Sequence, residues 1–596
     1  MHYQIVKNKR HRFFIGLLCL MGVLWSAPAS SSGVITYVSN PILSEQQQHY
    51  AQVQINDKYT TNHWFIKINP SVLYAGQLIF NLPNNHLLIA QRQSMEKGYG
   101  GTESWIGKAS NIHGEALLTG RENMLTAKIA STKFTYMIYP LGDDLHILTQ
   151  LNSEAYPNDE TESGYKDMLE RGKNPSEPRW VDPETGIHMN ERAAGDCKVR
   201  AIVIYTDDVA AALADPLSFV KLCIDANNTA FTNSLVNFQI ELACAKELSY
   251  AETGNSTTDK TNFRNTGDGI LDDVHSWRTA YDADLCHLLV NSLSNGCGEA
   301  WNVSVAVFAD AFCVTDRGCA VGNNTFPHEF GHLYGARHDP YADNTNTPYA
   351  YGHGYAYVAG QWRTVMAYND VCVANGTSCT RLSYFSNPAV TYLGNAMGVV
   401  GTSDNESAHE ASRTSIANLE ATITNKFFSS TYTHNAYEYG DMIATTSITN
   451  NTTYVMNTNS EVYWRANNYH VLKPGFWAKS GSKFQTQFDN CTPLAAPPGG
   501  QEAKLDTEKS SLISLSASPN PFNHSLSFNI HLSHADYYSI KLYDMQGREL
   551  QFVYDGNLAE GQYKFDIHTE NLNAGIYQFI VRSGSEIQSL RVIKSE

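Results

Sequence analysis

Apolar and polar residues alternate between Ile35 and Tyr156, as in His63-Trp64-Phe65-Ile66-Lys67-Ile68 and Lys133-Phe134-Thr135-Tyr136-Met137-Ile138. A period of two predicts β-strands that bury one face. The alternation stops at Asn158, and the polar, acidic stretch to Arg192 reads as an exposed linker. From Tyr437 to Cys491 the chain turns rich in Thr, Asn and Tyr, with short apolar runs. Pro493, Pro497-Pro498 and Gly499-Gly500 then mark a flexible linker up to Ser510. Alternation returns in Tyr538-Ser539-Ile540-Lys541-Leu542-Tyr543-Asp544, and Gly547 supplies a turn residue suited to positive φ.

One apolar run does not alternate. Phe13 to Trp25 follows the basic patch Lys7–Arg12 and precedes Ala27-Pro28-Ala29, a small-residue cleavage site. The run is too short to span a bilayer, so it reads as a secretory signal removed near Ala29, with no transmembrane segment in the mature chain. At 596 residues several domains are expected. Forty-two Lys and Arg against 59 Asp and Glu give a net charge of -17. That balance argues against a nucleic-acid partner, because no basic excess is available to neutralise phosphates. Ten of 11 cysteines follow the signal, all from Cys197 onward, and export favours oxidation of some. Short separations suggest Cys313–Cys319 and Cys372–Cys379 as disulfides, with Cys286–Cys297 a further candidate.

The chemistry concentrates in His328-Glu329-Phe330-Gly331-His332-Leu333-Tyr334-Gly335-Ala336-Arg337-His338-Asp339. On a helix His328 and His332 lie one turn apart and aim at one ion. Gly335 lets the backbone leave the helix, and His338 returns as a third ligand. Three imidazoles with one position left open describe a catalytic Zn²⁺ site. Glu329 sits beside the metal without binding it, placed to take a proton from the attacking water. Thr364-Val365-Met366-Ala367-Tyr368 follows, with Met366 read as the floor beneath the metal. The Tyr368 hydroxyl would reach toward the zinc or the reacting carbonyl. His287, His353 and His409 read as non-ligands. Asp268–Asp273 partly resembles a Ca²⁺ loop but lacks the regular spacing and final Glu, so Asp capping of a helix is the alternative.

These motifs make residues 197–425 resemble a metzincin metallopeptidase of the reprolysin-like (adamalysin-type) branch, in which Asp339 is the usual residue after the third histidine. The resemblance implies an α/β catalytic domain and protein or peptide substrates. Within it, Arg200–Thr206 reads as the first strand and Leu288-Leu289-Val290 as another. Ser304–Phe308 reads as the edge strand that pairs with substrate. Helices are expected near 219–235 and 408–424, and Tyr384–Pro388 also recurs in such enzymes. The preceding β-rich segment takes the place of a propeptide that blocks the zinc. Cys197, Asp196 or Asp182 could supply the blocking ligand, and Cys197 could instead be a disulfide cysteine. Cleavage near Arg192 or Lys198 would activate the enzyme.

Leu472-Lys473-Pro474-Gly475-Phe476, with Ala478, Gly481-Ser482 and Phe484, resembles short parallel-β repeat modules of exported bacterial proteins. Residues 511–596 resemble the sorting domain of the type IX secretion system, through Ser518-Pro519-Asn520-Pro521-Phe522, Met545-Gln546-Gly547-Arg548 and Leu572-Asn573-Ala574-Gly575-Ile576-Tyr577. That likeness implies a Gram-negative host, export across both membranes, and release or surface attachment. The expected multidomain architecture is therefore signal 1–29, β-rich propeptide 30–192, α/β catalytic domain 193–425, β-repeat spacer and linker 426–508, and β-sandwich sorting domain 509–596. The function expected is a secreted zinc endopeptidase with Glu329 as general base. The alternative is an inactive or adhesive surface protein that works through its C-terminal β-modules.

Overall fold

The computed structural model describes residues 33–173, 199–487 and 513–594, apart from short stretches within those ranges. The readings made for the signal and for Asp182, Arg192, Asp196, Cys197, Lys198 and Cys491 fall outside the described residues. The chain forms two compact units, Met1–Pro497 and Pro498–Glu596.

The alternating N-terminal region builds a nine-stranded antiparallel sheet from Ile35–Tyr37 to Leu145–Leu151, with Gln77–Leu82 and Ile35–Tyr37 at its edges. Its period of two sorts side chains onto two faces. Ala116, Leu118, Ile129, Tyr136 and Ile138 fill the sheet's own core. The opposite face, with Leu117, Met137, Tyr139 and Ile147, packs with Phe219 and Val220 of the helix Pro216–Asn233. Polar contacts reinforce that junction. Ser104 and Thr119 donate to the buried Asp225 carboxylate at 2.6 and 2.7 Å, and Arg121 pairs with Asp215 at 2.9 Å.

The central eight-stranded sheet has Val199–Thr206 between parallel partners Ile240–Leu248 and Leu285–Val290. Phe312–Asp316 continues it in parallel, and the antiparallel Gly298–Ala300 forms the edge. The edge strand is therefore not Ser304–Phe308. That apolar run is a half-buried connection: the Ala306 amide donates to the Leu333 carbonyl at 2.9 Å, and Phe308–Asp310 is a 3₁₀ turn. The later helix spans Asn405–Ile416.

At the other side the sheet does not end with the catalytic region. Tyr439–Ala444 pairs antiparallel with Ile240–Leu248, and Glu461–Ala466 and Lys483–Gln487 follow in parallel. These strands are one face of a three-coil parallel β-helix in which every register partner lies 22 residues on, as in Asn425↔Ser447↔Tyr469, Tyr432↔Tyr454↔Phe476 and Tyr439↔Glu461↔Lys483. Instead of a free-standing spacer, the repeat region extends the catalytic sheet. The junction buries charge: Lys246 pairs with Glu438 at 2.5 Å, and Arg200 reaches Glu241 at 2.9 Å and Asp441 at 3.2 Å.

Two disulfides are present among the described residues, Cys297–Cys319 and Cys372–Cys379. Cys313 and Cys286, expected to be bridged, are free and buried. Cys313 lies on a core strand with its sulfur 3.1 Å from His287 Nδ1, whereas Cys297, beside the edge strand, has its Cα 5.6 Å from that of Cys319. The Asp268–Asp273 loop closes on itself. Asp272 accepts from the amides of Gly267 and Gly269, and Asp268 from that of Ile270, without a side-chain cap on the helix Asp273–Ala280. The carboxylates of Asp268 and Asp272 thus serve backbone amides.

The second unit is a sandwich of a three-stranded and a four-stranded antiparallel sheet around Phe528, Ile530, Ile540, Leu542, Phe579 and Val581. No helix among the described residues is long and apolar enough to cross a membrane.

Candidate metal centre and active site

The helix Thr325–Leu333 is buried along its whole length and carries His328, Glu329 and His332. Two glycines give the segment its shape. A Cβ on Gly331 would come within 2.5 Å of Met366 Sδ, so the glycine lets Met366 lie directly under the helix. Gly335 has φ of +83°, a left-handed conformation that L side chains resist, and it turns the chain so that His338 comes back to the helix.

The imidazoles are oriented by backbone carbonyls. His328 Nδ1 is 2.9 Å from the Val365 carbonyl, and His332 Nδ1 is 2.9 Å from that of Ala336. Protons held at Nδ1 leave the Nε2 lone pairs facing inward. The Nε2 atoms of His332 and His338 lie 3.1 and 3.2 Å from that of His328. Lone pairs converging at that distance repel unless a cation lies between them. Burial disfavours the charged form of His332 and His338, lowering His338 to about 3 against the pull of Glu160, and neutral imidazole is the form that ligates. The donor set thus fits a metal ion.

A fourth donor joins them, and it comes from the stretch read as an exposed linker. Glu160, His328, His332 and His338 are all buried, with ligand atoms within 4.8 Å of one another. Glu160 Oε1 is 3.1 Å from His332 Nε2 and 3.5 Å from His328 Nε2, and Oε2 is 3.3 Å from His338 Nε2. Its neighbour Asp159 is equally enclosed. Arg381 grips it from two nitrogens at 3.1 and 2.5 Å, while Thr325 Oγ1 donates at 2.6 Å and Asn323 at 3.3 Å. Burial would raise the Asp159 carboxyl, but Arg381 brings it down to about 2. The Asp159 carbonyl accepts from the amides of Cys297 and Gly298, at the sheet edge.

Beyond this dipeptide the chain is helical, Glu162–Lys173, instead of extended and solvated. Tyr165 stacks on His338 with ring centroids 3.9 Å apart and donates to Asp343 at 2.7 Å. Met168 is fully buried. Tyr165, Met168 and Leu169 fall at helical spacing, and that was the signal available for this segment.

The remaining expected residues are all at the centre. Glu329 is buried, and neither of its carboxylate oxygens has a hydrogen-bond partner. It faces the sheet edge, since a Cβ on Gly298 would lie 2.6 Å from its Oε1. Burial, then the charges of Glu160 and Asp159, push its carboxyl well above the ordinary range. The Tyr368 hydroxyl bonds to the Glu160 carboxylate, and its amide donates to Asp339 at 2.9 Å. Asp339 therefore ties the loop after the third histidine to the segment that carries Met366. Of the other histidines, His353 Nδ1 is 2.8 Å from the His338 carbonyl, His287 stacks on Phe326, and His409 packs on Phe385. None of the three belongs to the cluster.

Three inward-facing imidazoles with a carboxylate beside them form a candidate metal centre, and comparison with known proteins gives the family. The model of metallopeptidase family M12 matches residues 195–386, and that of the secretion system C-terminal sorting domain matches residues 516–595. The peptidyl-Asp metalloendopeptidase of Xanthomonas campestris pv. campestris is 30% identical over 430 residues, covering 67% of this chain and 97% of that protein. An enzyme of the same name from Stenotrophomonas maltophilia is 32% identical over 360 residues, covering 57% and 82%. One from Pseudomonas fragi is 38% identical over 167 residues, covering 28% and 85%. The chain belongs to metallopeptidase family M12. It is a metalloendopeptidase of protein substrates that carries a secretion sorting domain.

Proposed function

We propose that the enzyme holds one Zn²⁺ with His328, His332 and His338, uses Glu329 as its general base, and cuts peptidyl-Asp bonds, as its relatives are named for doing. The observation that carries the site assignment is the convergence of three Nε2 atoms on one point beside an unpaired, buried carboxylate. When bound, zinc polarises the scissile carbonyl and acidifies water. Glu329 takes the proton of the attacking water and returns it to the leaving amine. Tyr368 donates its hydroxyl to the developing oxyanion once the carboxylate it now contacts has left.

Glu160 makes the enzyme latent. It occupies the place that substrate and water need, in the role considered for Cys197, Asp196 or Asp182. In this reading residues 1–29 are the signal and 30–192 the propeptide. Residues 193–425 are the catalytic domain, 426–508 the β-repeat region with its linker, and 509–596 the sorting domain. The sorting domain directs the chain through the type IX machinery across both membranes of a Gram-negative cell. The unpaired Glu329 favours an active enzyme over an adhesive protein. Glu329→Ala, assayed on casein after removal of the propeptide, should retain its zinc and lose activity by about 10³-fold or more, consistent with loss of a general base. Full activity in that variant would sink the assignment.

A further inference from the structure

The Asp159 carboxylate lies in a pocket built for it. Arg381 enters from the chain that follows the Cys372–Cys379 disulfide, and its guanidinium is also held by the Asn323 carbonyl at 3.1 Å. Thr325 and Asn323 come from the start of the helix that carries His328. Asn323 is further fixed by a 3.1 Å bond to the Thr325 hydroxyl. The occupant carboxylate is 3.7 Å from His328 Nδ1, so the pocket adjoins the ring of one of the three clustered histidines. Arg381, Thr325 and Asn323 all belong to the catalytic region, and the pocket remains after the propeptide leaves. A planar guanidinium meeting a carboxylate from two nitrogens discriminates by geometry as well as charge. A neutral side chain there would leave a buried cation unpaired.

We propose that Arg381, with Thr325 and Asn323, is the specificity pocket for the substrate's aspartate, and that Asp159 is a tethered stand-in that fills it while Glu160 covers the metal. Propeptide and substrate would then be recognised by the same side chains, and an enzyme selective for aspartate would be blocked by an aspartate of its own. This rests on the peptidyl-Asp preference proposed above.

The test compares cleavage of a peptide containing Asp with the same peptide containing Asn, using full-length chain processed to the active enzyme. The native enzyme should favour Asp by about a hundredfold or more in kcat/KM, as expected where a buried polar group would otherwise go unpaired. Arg381→Gln should reduce that ratio at least about tenfold while cleavage of the Asn peptide persists. An unchanged ratio in Arg381→Gln would overturn the pocket and leave the peptidyl-Asp reading intact. A native enzyme that cuts both peptides equally would overturn the peptidyl-Asp reading, and the pocket with it. If Arg381→Gln does not fold, peptides spanning residues 155–164 decide the matter with the native enzyme. The Asp159 peptide should inhibit at least about tenfold better than its Asp159→Asn counterpart, and equal inhibition would overturn the proposal.

Discussion

The N-terminal nine-stranded sheet and the C-terminal β-helix flank the same catalytic region, and they are attached in opposite ways. The first offers a side-chain face to the helix Pro216–Asn233 and sends two acidic residues into the cleft. No strand of it joins the catalytic sheet. The second shares the sheet itself, with backbone hydrogen bonds running from Ile240–Leu248 into Tyr439–Ala444 and onward. A side-chain interface can separate once the chain connecting it is cut. A continuous sheet cannot lose three strands without exposing an edge and opening a core. The difference fits the proposal that the N-terminal part is removed and the β-helix stays.

Three experiments test that contrast. Deletion of residues 426–487 should have the largest effect, because it strips the cover from Ile240–Leu248 and leaves Arg200 without Asp441. No soluble, folded chain is expected, whereas the processed enzyme without its N-terminal part should be soluble and active. A soluble and active deletion variant would end the distinction. Next in size, Lys246→Met strands the buried Glu438 carboxylate and should cost about 3–5 kcal/mol. Denaturant unfolding should show that loss equally before and after processing, because both partners stay with the mature enzyme. Smallest is Ser104→Ala combined with Thr119→Val, which removes two donors from Asp225 while Lys221 still pairs with it. The unprocessed chain should lose about 1–3 kcal/mol. Unchanged stability there would mean that this junction is held by apolar packing alone.

The sequence made the metal centre legible because its ligands are local. His328, His332 and His338 fall within eleven residues, and Gly335 marks the turn between them, so spacing alone brings them together. The alternating strands of residues 35–156 and of the sorting domain were legible for a similar reason, since a period of two is a local property. What escaped were features set by long-range partners. Asp159 and Glu160 look like any acidic pair in a polar stretch until Arg381 and the histidines are brought to them from more than 160 residues away. Ser304–Phe308 looks like a strand because it is apolar, yet its Ala306 amide is claimed by a helix end. The Cys297–Cys319 bridge escaped because spacing favoured Cys313, and only the sheet shows which sulfur faces which.

Glu160 stands as a fourth donor beside the three histidines, and X-ray absorption at the zinc edge of the unprocessed chain tests that placement. It should find one zinc per chain with only nitrogen and oxygen neighbours, and Glu160→Gln should alter the oxygen shell. A sulfur neighbour at about 2.3 Å would instead make a cysteine thiolate the blocking ligand and contradict the account.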